Sequence, residues 1–271
     1  MTTRPYVTLS CAMSIDGYLD GTGPRHLTMS NAADFDRVDE VRARSDAILV
    51  GAATVRRDDP RLLVRDVARR ARRIAEGLAP SPVKVTATDS GDLSPRAAFF
   101  TTGEAGRLVY CPRDRARRLR ARLGDAACVV ALDDRVTMSA LLDDLAGRGI
   151  GSLLVEGGGS VITQFLAADL VDELHLVVAP FFVGEARAPR AVRPAAFPWT
   201  ASRRAQLAQT RQIGDVVLLR YALSERFDAS PERAGMPHAE QVAEPGPQAL
   251  SQSLSQGLPQ GLPQRHRVDV P

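Results

Sequence analysis

The sequence predicts an α/β domain with a mostly parallel central sheet and antiparallel C-terminal strands. Three observations carry that prediction. Apolar runs of strand length, bounded by turn residues, recur from Tyr6 to Glu156. Helical patterns separate several of them, and the alternation of strand and helix favours parallel pairing. The last two apolar runs, ELHLVVAP and DVVLLRYAL, have no convincing helix between them and read as antiparallel closing strands.

The elements follow in order. YVTLSCAM, Tyr6 to Met13, is the first strand. In NAADFDRVDEVRAR, Asn31 and Asp34 resemble a capping box, and Phe35, Val38 and Val41 are expected on one buried helical face. The strand AILVG, Ala47 to Gly51, leads into AATVRRDDP, a short helix stopped by Asp59 and Pro60. RDVARRARRIAEG reads as an arginine-rich helix or insertion with a solvated face. Strands then fall at VKVTAT (Val83 to Thr88), RLVYC (Arg107 to Cys111) and ACVVA (Ala127 to Ala131). In TMSALLDDLAGRG, Met138, Leu141, Leu142 and Leu145 keep helical spacing before Gly147 and Gly149 end the pattern. The strand SLLVE, Ser152 to Glu156, runs into three glycines and a helix with Val161, Ile162, Phe165 and Leu166 facing inward.

Composition bounds the function classes. The 271 residues are 44% hydrophobic and 25% charged, ordinary for a globular protein, with a net charge of +3 and Lys84 as the sole lysine. The basic excess lacks interleaved aromatics, so nucleic acid is not the expected partner. Cys11, Cys111 and Cys128 form no C-x-x-C pair, which argues against a disulfide scaffold or a zinc knuckle and for a reducing cytoplasm. No P-C-x-x-C occurs, so a deaminase zinc site cannot be assembled, and no metal is expected. Neither a signal peptide nor a membrane span is legible. Residues 225–271, rich in Pro, Gln, Ser and Gly, read as a disordered low-complexity tail after a domain over 1–224.

The stretch LLVEGGGSVITQFL carries the chemistry. Ligands of open α/β sheets settle outside the carboxyl ends of the strands, and a glycine turn opening a helix lets backbone approach an anion such as pyrophosphate. G-G-G-S lacks the spacing of the dinucleotide fingerprint, so a plain strand-to-helix turn stays an equal reading. Glu156 decides more. A carboxylate ending a buried strand needs a donor, so it faces the cleft or pairs with an arginine there. Arg42, Arg61 and Arg65 flank the strand-end segment VRARSDAILVGAATVRRDDPRLLVR, and forked guanidinium groups suit a phosphate.

PYVTLSCAMSIDG, RARSDAILVGAATVRRDDPRLLVR and LLVEGGGSVITQFLAADLVDELHLVVAPFFVG together resemble the reductase domain of the bacterial riboflavin-biosynthesis deaminase/reductase and its stand-alone archaeal and fungal relatives. The resemblance spans roughly Arg4 to Tyr221. It implies a three-layer dihydrofolate-reductase-like fold and an NADPH-dependent reduction in which the ribose of a phosphoribosylamino-pyrimidine, 5-amino-6-(5-phosphoribosylamino)uracil or its 2,5-diamino-pyrimidinone analogue, opens and becomes ribityl. Carried over, cofactor contacts fall on Ala12, Thr54, Asp58, Ser90 and Gly158, Gly159, Ser160, Val161, Ile162, Thr163 and Gln164. Substrate contacts fall on Arg42, Leu62, Arg65 and Glu156, with Asp58 and Glu156 as the catalytic pair. A homodimer is implied as well. A family tryptophan before the first helix has no counterpart in RHLTMSN, where Thr28 or Met29 stands.

Hydride transfer to an imine or an open aldehyde also requires a proton, for which the sequence names no obvious acid; His26 is one candidate and solvation its blander reading. His175 reads as structural. Two alternatives remain open on sequence. A pterin, folate or specialised nucleoside reductase predicts no need for Arg65. A non-catalytic nucleotide-binding regulator, or an arginine-rich nucleic-acid binder, predicts steeply salt-dependent binding without NADPH oxidation.

Overall fold

The computed structural model of the chain describes residues 4–227 and 229, so most of the tail expected over 225–271 lies outside the described residues. The elements run β1 (Tyr6–Ser14), α1 (Ala32–Arg44), β2 (Ala47–Gly51), α2 (Ala52–Asp58), α3 (Val67–Ala75), β3 (Val83–Ala87), α4 (Ala98–Thr101), β4 (Arg107–Pro112) and α5 (Arg113–Leu123). They continue with β5 (Cys128–Leu132), α6 (Met138–Gly147), β6 (Ser152–Gly157), α7 (Gly159–Ala167), β7 (Glu173–Ala179), β8 (Gln206–Ile213) and β9 (Val216–Ala222).

The described strands form one sheet in the order β5-β4-β3-β2-β6-β1-β7-β9-β8. Pairing is parallel from β5 to β7. β9 pairs antiparallel with both β7 and β8, as the closing runs predicted. Alternate residues of each central strand feed two cores. Ala47 and Leu49 pack with α6 and α7 residues such as Leu141, Leu145 and Phe165 on one face. Ile48 and Val50 pack with Val41, Val55, Phe99 and Leu119 on the other, giving three layers.

The direction in which successive strands are added to the sheet reverses between β2 and β6. Successive strands from β2 proceed to β3 and β4 on one side, while β6 leads to β7 on the other, past β1. The helices leaving these neighbours, α2 and α7, belong to opposite cores. Such a switch point leaves a crevice at the carboxyl ends of the strands. A register shift between Leu49 and Val50 sets Val50 opposite Gly157, so the irregularity falls at that crevice.

The structure departs from or adds to the sequence reading in three places. Phe35 is 42% exposed, and the buried face of α1 is polar, comprising Asp34, Arg37, Asp39 and Glu40 along with Val41. α3 covers that face: Arg69 reaches Asp36, Asp39 and Glu40, and Arg73 is buried against the carbonyls of Ala43, Ser45 and Ala79. One side of the arginine-rich helix is therefore packed on α1, while Val67, Ala68, Ala71, Arg72, Ile74 and Ala75 form the solvated face the sequence predicts. β8 was not anticipated, because QLAQTRQI is a mostly exposed edge strand with no apolar alternation.

Candidate active site

Asn31 caps α1 by accepting from the Asp34 amide, which brings Arg42, in the last turn, to the end of β6. There Arg42 Nε and Nη2 donate to the two oxygens of Glu156 at 2.6 and 2.7 Å, and Nη1 donates to Leu63 O at 3.2 Å. Burial works against the charged guanidinium, but Glu156 outweighs it and holds Arg42 above its ordinary pKa. The carboxylate ending the apolar strand thus pairs with an arginine, one of the two resolutions its position allowed. The same arginine ties the Leu62–Arg65 segment to the strand ends. Leu62 is itself buried, with φ of 50°.

The glycine bend forms the wall of the crevice. Gly157 and Gly158 have φ of 125° and 24°, conformations costly for other residues. A Cβ on Gly158 would lie 2.9 Å from Thr54 Oγ1, and one on Gly159 only 2.3 Å from Arg190 O. Val161 and Ile162 make the first helical bonds, to Gly158 O, which leaves the amides of Gly159 and Ser160 ahead of them at the start of α7.

Two adjoining hollows meet at this bend, sharing Gly51, Ala53, Ser160 and Val161. The first, about 440 Å³, is lined by Thr54, Asp58, Gly158 and Gly159, and on its far side by Leu19, Leu27, Pro189 and Arg193. The second, about 260 Å³, extends past Ser90 and Gln164 to Val136 and Met138. Thr54, Asp58, Ser90, Gly158, Gly159, Ser160, Val161 and Gln164 therefore line one continuous crevice. Ile162 points into the core, and Thr163 Oγ1 donates to Gly159 O while accepting from the Arg193 amide. Ala12 stands in β1 against the Val177 cluster, outside both linings. Arg42, Leu62, Arg65 and Glu156 also lie outside them. Arg65 stays 59% exposed, its Nη2 donating to Phe35 O.

Sequence reading missed several groups in the first hollow. Asp20 is buried; one of its oxygens accepts from the amides of Gly21 and Leu27, the other from Arg57 Nη2 at 2.7 Å and from His26 Nδ1 at 2.6 Å. Burial opposes ionisation of Asp20, yet those donors hold its carboxyl below the usual range. Burial pushes Asp58 upward. His26 was a candidate acid on sequence, but Asp20, six residues earlier in a Gly/Pro-rich loop without periodicity, carried no signal. From RHLTMSN both His26 and Leu27 reach the hollow; Met29 is buried elsewhere.

The family model described as the RibD C-terminal domain matches residues 5–219. The chain is 37% identical over 190 residues to the 2,5-diamino-6-ribosylamino-4(3H)-pyrimidinone 5′-phosphate reductase of Archaeoglobus fulgidus, covering 69% of this chain and 85% of that protein. Its similarity to the Methanothermobacter thermautotrophicus protein of the same name is also 37%, over 185 residues, covering 67% and 80% respectively. Among solved structures, Acinetobacter baumannii RibD superposes with a TM-score of 0.66 at 26% identity, over 81% of this chain and 58% of that one.

Proposed function

From the premise that this chain belongs to the RibD C-terminal domain family of riboflavin-biosynthesis reductases, we propose that it uses NADPH to reduce the ribosyl group of a phosphoribosylamino-pyrimidine to ribityl. The observation that carries this reading is the crevice at the β2–β6 switch point, two adjoining hollows continuous along the glycine bend. The residues present fit that group. Gly158, Gly159 and Ser160 bring the start of α7 to the wall of the crevice, where its leading amides suit an anion, and Thr54, Ser160, Ser90 and Gln164 offer polar atoms along the path. When bound, a reduced dinucleotide supplies hydride, and the protein's part is alignment and charge.

In this reading the dinucleotide also meets Ala12 and the Ile162–Thr163 backbone, while Arg42, Leu62, Arg65 and Glu156 receive the sugar phosphate and pyrimidine. The exposed Arg65 side chain is held by one carbonyl bond, the Phe35 ring and an ion pair with Asp39 Oδ1 at 3.5 Å, contacts it can exchange for a phosphate. Asp58 and Glu156 are the carboxylates nearest the reaction. Both pyrimidines, the uracil and its 2,5-diamino analogue, share that phosphate. A homodimer accompanies the proposal.

The test follows NADPH absorbance with each pyrimidine, with dihydrofolate, and with NADH as the rival cofactor. Turnover is expected with NADPH and a phosphoribosylamino-pyrimidine. Arg65→Ala is expected to raise the substrate KM about tenfold or more, the worth of a charge-assisted phosphate contact, with kcat less affected. Turnover with dihydrofolate alone, or indifference to Arg65→Ala, would refute the reading.

A further inference from the structure

We propose that Asp20 and His26 form a proton-delivering pair in the first hollow, Asp20 orienting the ring through Nδ1 and His26 serving as general acid through Nε2. The proposal rests on the reductase reading given above. Its basis is the chain of contacts. Asp20 is almost completely buried and cannot move, because the amides of Gly21 and Leu27 and the Arg57 guanidinium all donate to it. His26 Nδ1 lies 2.6 Å from its outer oxygen. A carboxylate can only accept there, so Nδ1 carries a proton and Nε2 is the nitrogen left to exchange one.

Nε2 is directed toward Asp58, with Oδ1 at 3.7 Å, and both residues line the hollow that Thr54 and the glycine bend close on the other side. The groups facing the ring are Asp20 from its own loop and Arg57 and Asp58 from α2; Arg193 belongs to the hollow's far wall. Glu185 is engaged by Thr22. The Asp20 hydrogen bond raises the His26 pKa, and Asp58 and Asp20 add to it by charge, against desolvation and Arg57. The charged ring is thereby favoured more than in a free imidazole. The ring is 50% exposed, so solvent reaches it between turnovers.

The proton balance closes. Hydride brings two electrons and one hydrogen to the sugar C1′, forming a C–H bond. The π pair of the C1′=N or C1′=O bond moves onto its nitrogen or oxygen. The Nε2–H bond of His26 breaks and its proton joins that atom, leaving a neutral imidazole whose Nδ1–H still donates to Asp20. Solvent then restores the proton on Nε2.

His26 is the catalytic residue of this pair and Asp20 a positioning residue, and two measurements on the full chain test them. In steady-state kinetics, His26→Gln keeps a donor for Asp20 but no transferable proton. It is expected to lower kcat about 100-fold, with substrate KM changed less than about threefold. In the parent protein kcat falls as pH rises through the raised His26 pKa, and this alkaline limb is expected to vanish in the variant. In the second measurement, histidine ring NMR signals are titrated without substrate, the His26 signal being identified by its loss in His26→Gln. It is expected to titrate above about 6.5, and to move down in Asp20→Asn. Full kcat and an unchanged alkaline limb in His26→Gln would overturn the proposal. So would a His26 that titrates at or below its ordinary value in the parent protein, a result that stands even where Asp20→Asn fails to fold. Absence of turnover in the parent protein itself would count against the reductase reading, whereas turnover indifferent to His26→Gln would count against this pair alone.

Discussion

Gly159 shows how a single residue serves packing and ligand geometry together. Its missing side chain lets the Arg190 carbonyl lie where a Cβ would otherwise stand, at 2.3 Å, and backbone at that distance cannot yield cheaply. The 190–193 segment is in turn fastened to α7, since the Arg193 amide donates to Thr163 Oγ1 at 2.8 Å. Gly159→Ala must therefore push this segment away from the bend and deform the hollow that Arg193 lines. The expected outcome is a loss of about 1–3 kcal/mol in stability, read by urea denaturation, and at least a tenfold weaker dinucleotide Kd, read by calorimetry. Gly147→Ala is the matching control. No atom lies within 4 Å of its Cβ position, and it should be neutral or slightly stabilising. At this scale the sequence was legible where chemistry narrowed the answers to two. A carboxylate ending an apolar strand required a partner, and Arg42 supplies it. The Asp20–His26 contact was illegible, because it depends on where a glycine-rich loop turns, and residue type alone does not specify that.

Among the elements, α1 and α3 illustrate why a helix read by hydrophobic spacing can be placed correctly and turned the wrong way. The Asn31 cap was legible, and the helix ends at Arg44, the last residue of the stretch read as helical. Its orientation was not, because the buried face is made of carboxylates that become tolerable only when α3 lays its arginines across them. Glu40 accepts from Arg44, Arg69 and Arg72 at 2.6, 2.7 and 2.9 Å, and Arg69 also chelates Asp36 and reaches Asp39. The Asp36 hydrogen bond leads the effects that raise the Arg69 pKa. Glu40→Gln leaves that cluster with one carboxylate fewer and an amide nitrogen that cannot accept. The cost is expected at about 1–3 kcal/mol in urea, below the figure for a fully buried pair because Arg44 and Arg72 are 28% and 41% exposed and Arg69 retains Asp36 and Asp39. Since the cluster lies away from the crevice, kcat should hold. β8 failed for a different reason: an exposed edge strand buries neither face, so no periodicity marks it, and only its hydrogen bonds to β9 define it.

For the molecule as a whole, acid stability is set at the opposite end of β1 from the crevice. Arg37 Nη1 lies 3.1 Å from His175 Nδ1, and a guanidinium can only donate, so Nδ1 is bare and the proton sits on Nε2, which donates to Glu173 Oε1 at 2.5 Å. Glu173 is completed by Tyr6 OH at 2.9 Å and by Arg220 Nε. Both titratable groups are fully buried. Burial keeps His175 neutral by lowering its pKa. Burial alone would raise Glu173, but the His175 hydrogen bond and Arg220 overcome it and bring the carboxyl down to about 2. The two signs agree. A histidine depressed in the folded state stabilises above its unfolded value near 6.5, and that contribution erodes as pH falls below it. A depressed glutamate stabilises above about 4.5 and loses that contribution as pH falls toward 2. His26, raised by Asp20, acts oppositely, favouring the fold at low pH and ceasing to do so as pH rises through its folded pKa. Because His26 is half exposed while His175 is sealed, the buried pair should prevail. The urea midpoint is therefore expected to decline from pH 7 to pH 5 and more steeply below about 4.5. His175→Gln should lower stability at pH 7, flatten the first decline and, because the His175 hydrogen bond helps hold the Glu173 carboxyl down, make the second shallower. A midpoint that rises as pH falls from 7 to 5, or a first decline undiminished in His175→Gln, would show that this cluster does not govern the acid limit of the fold.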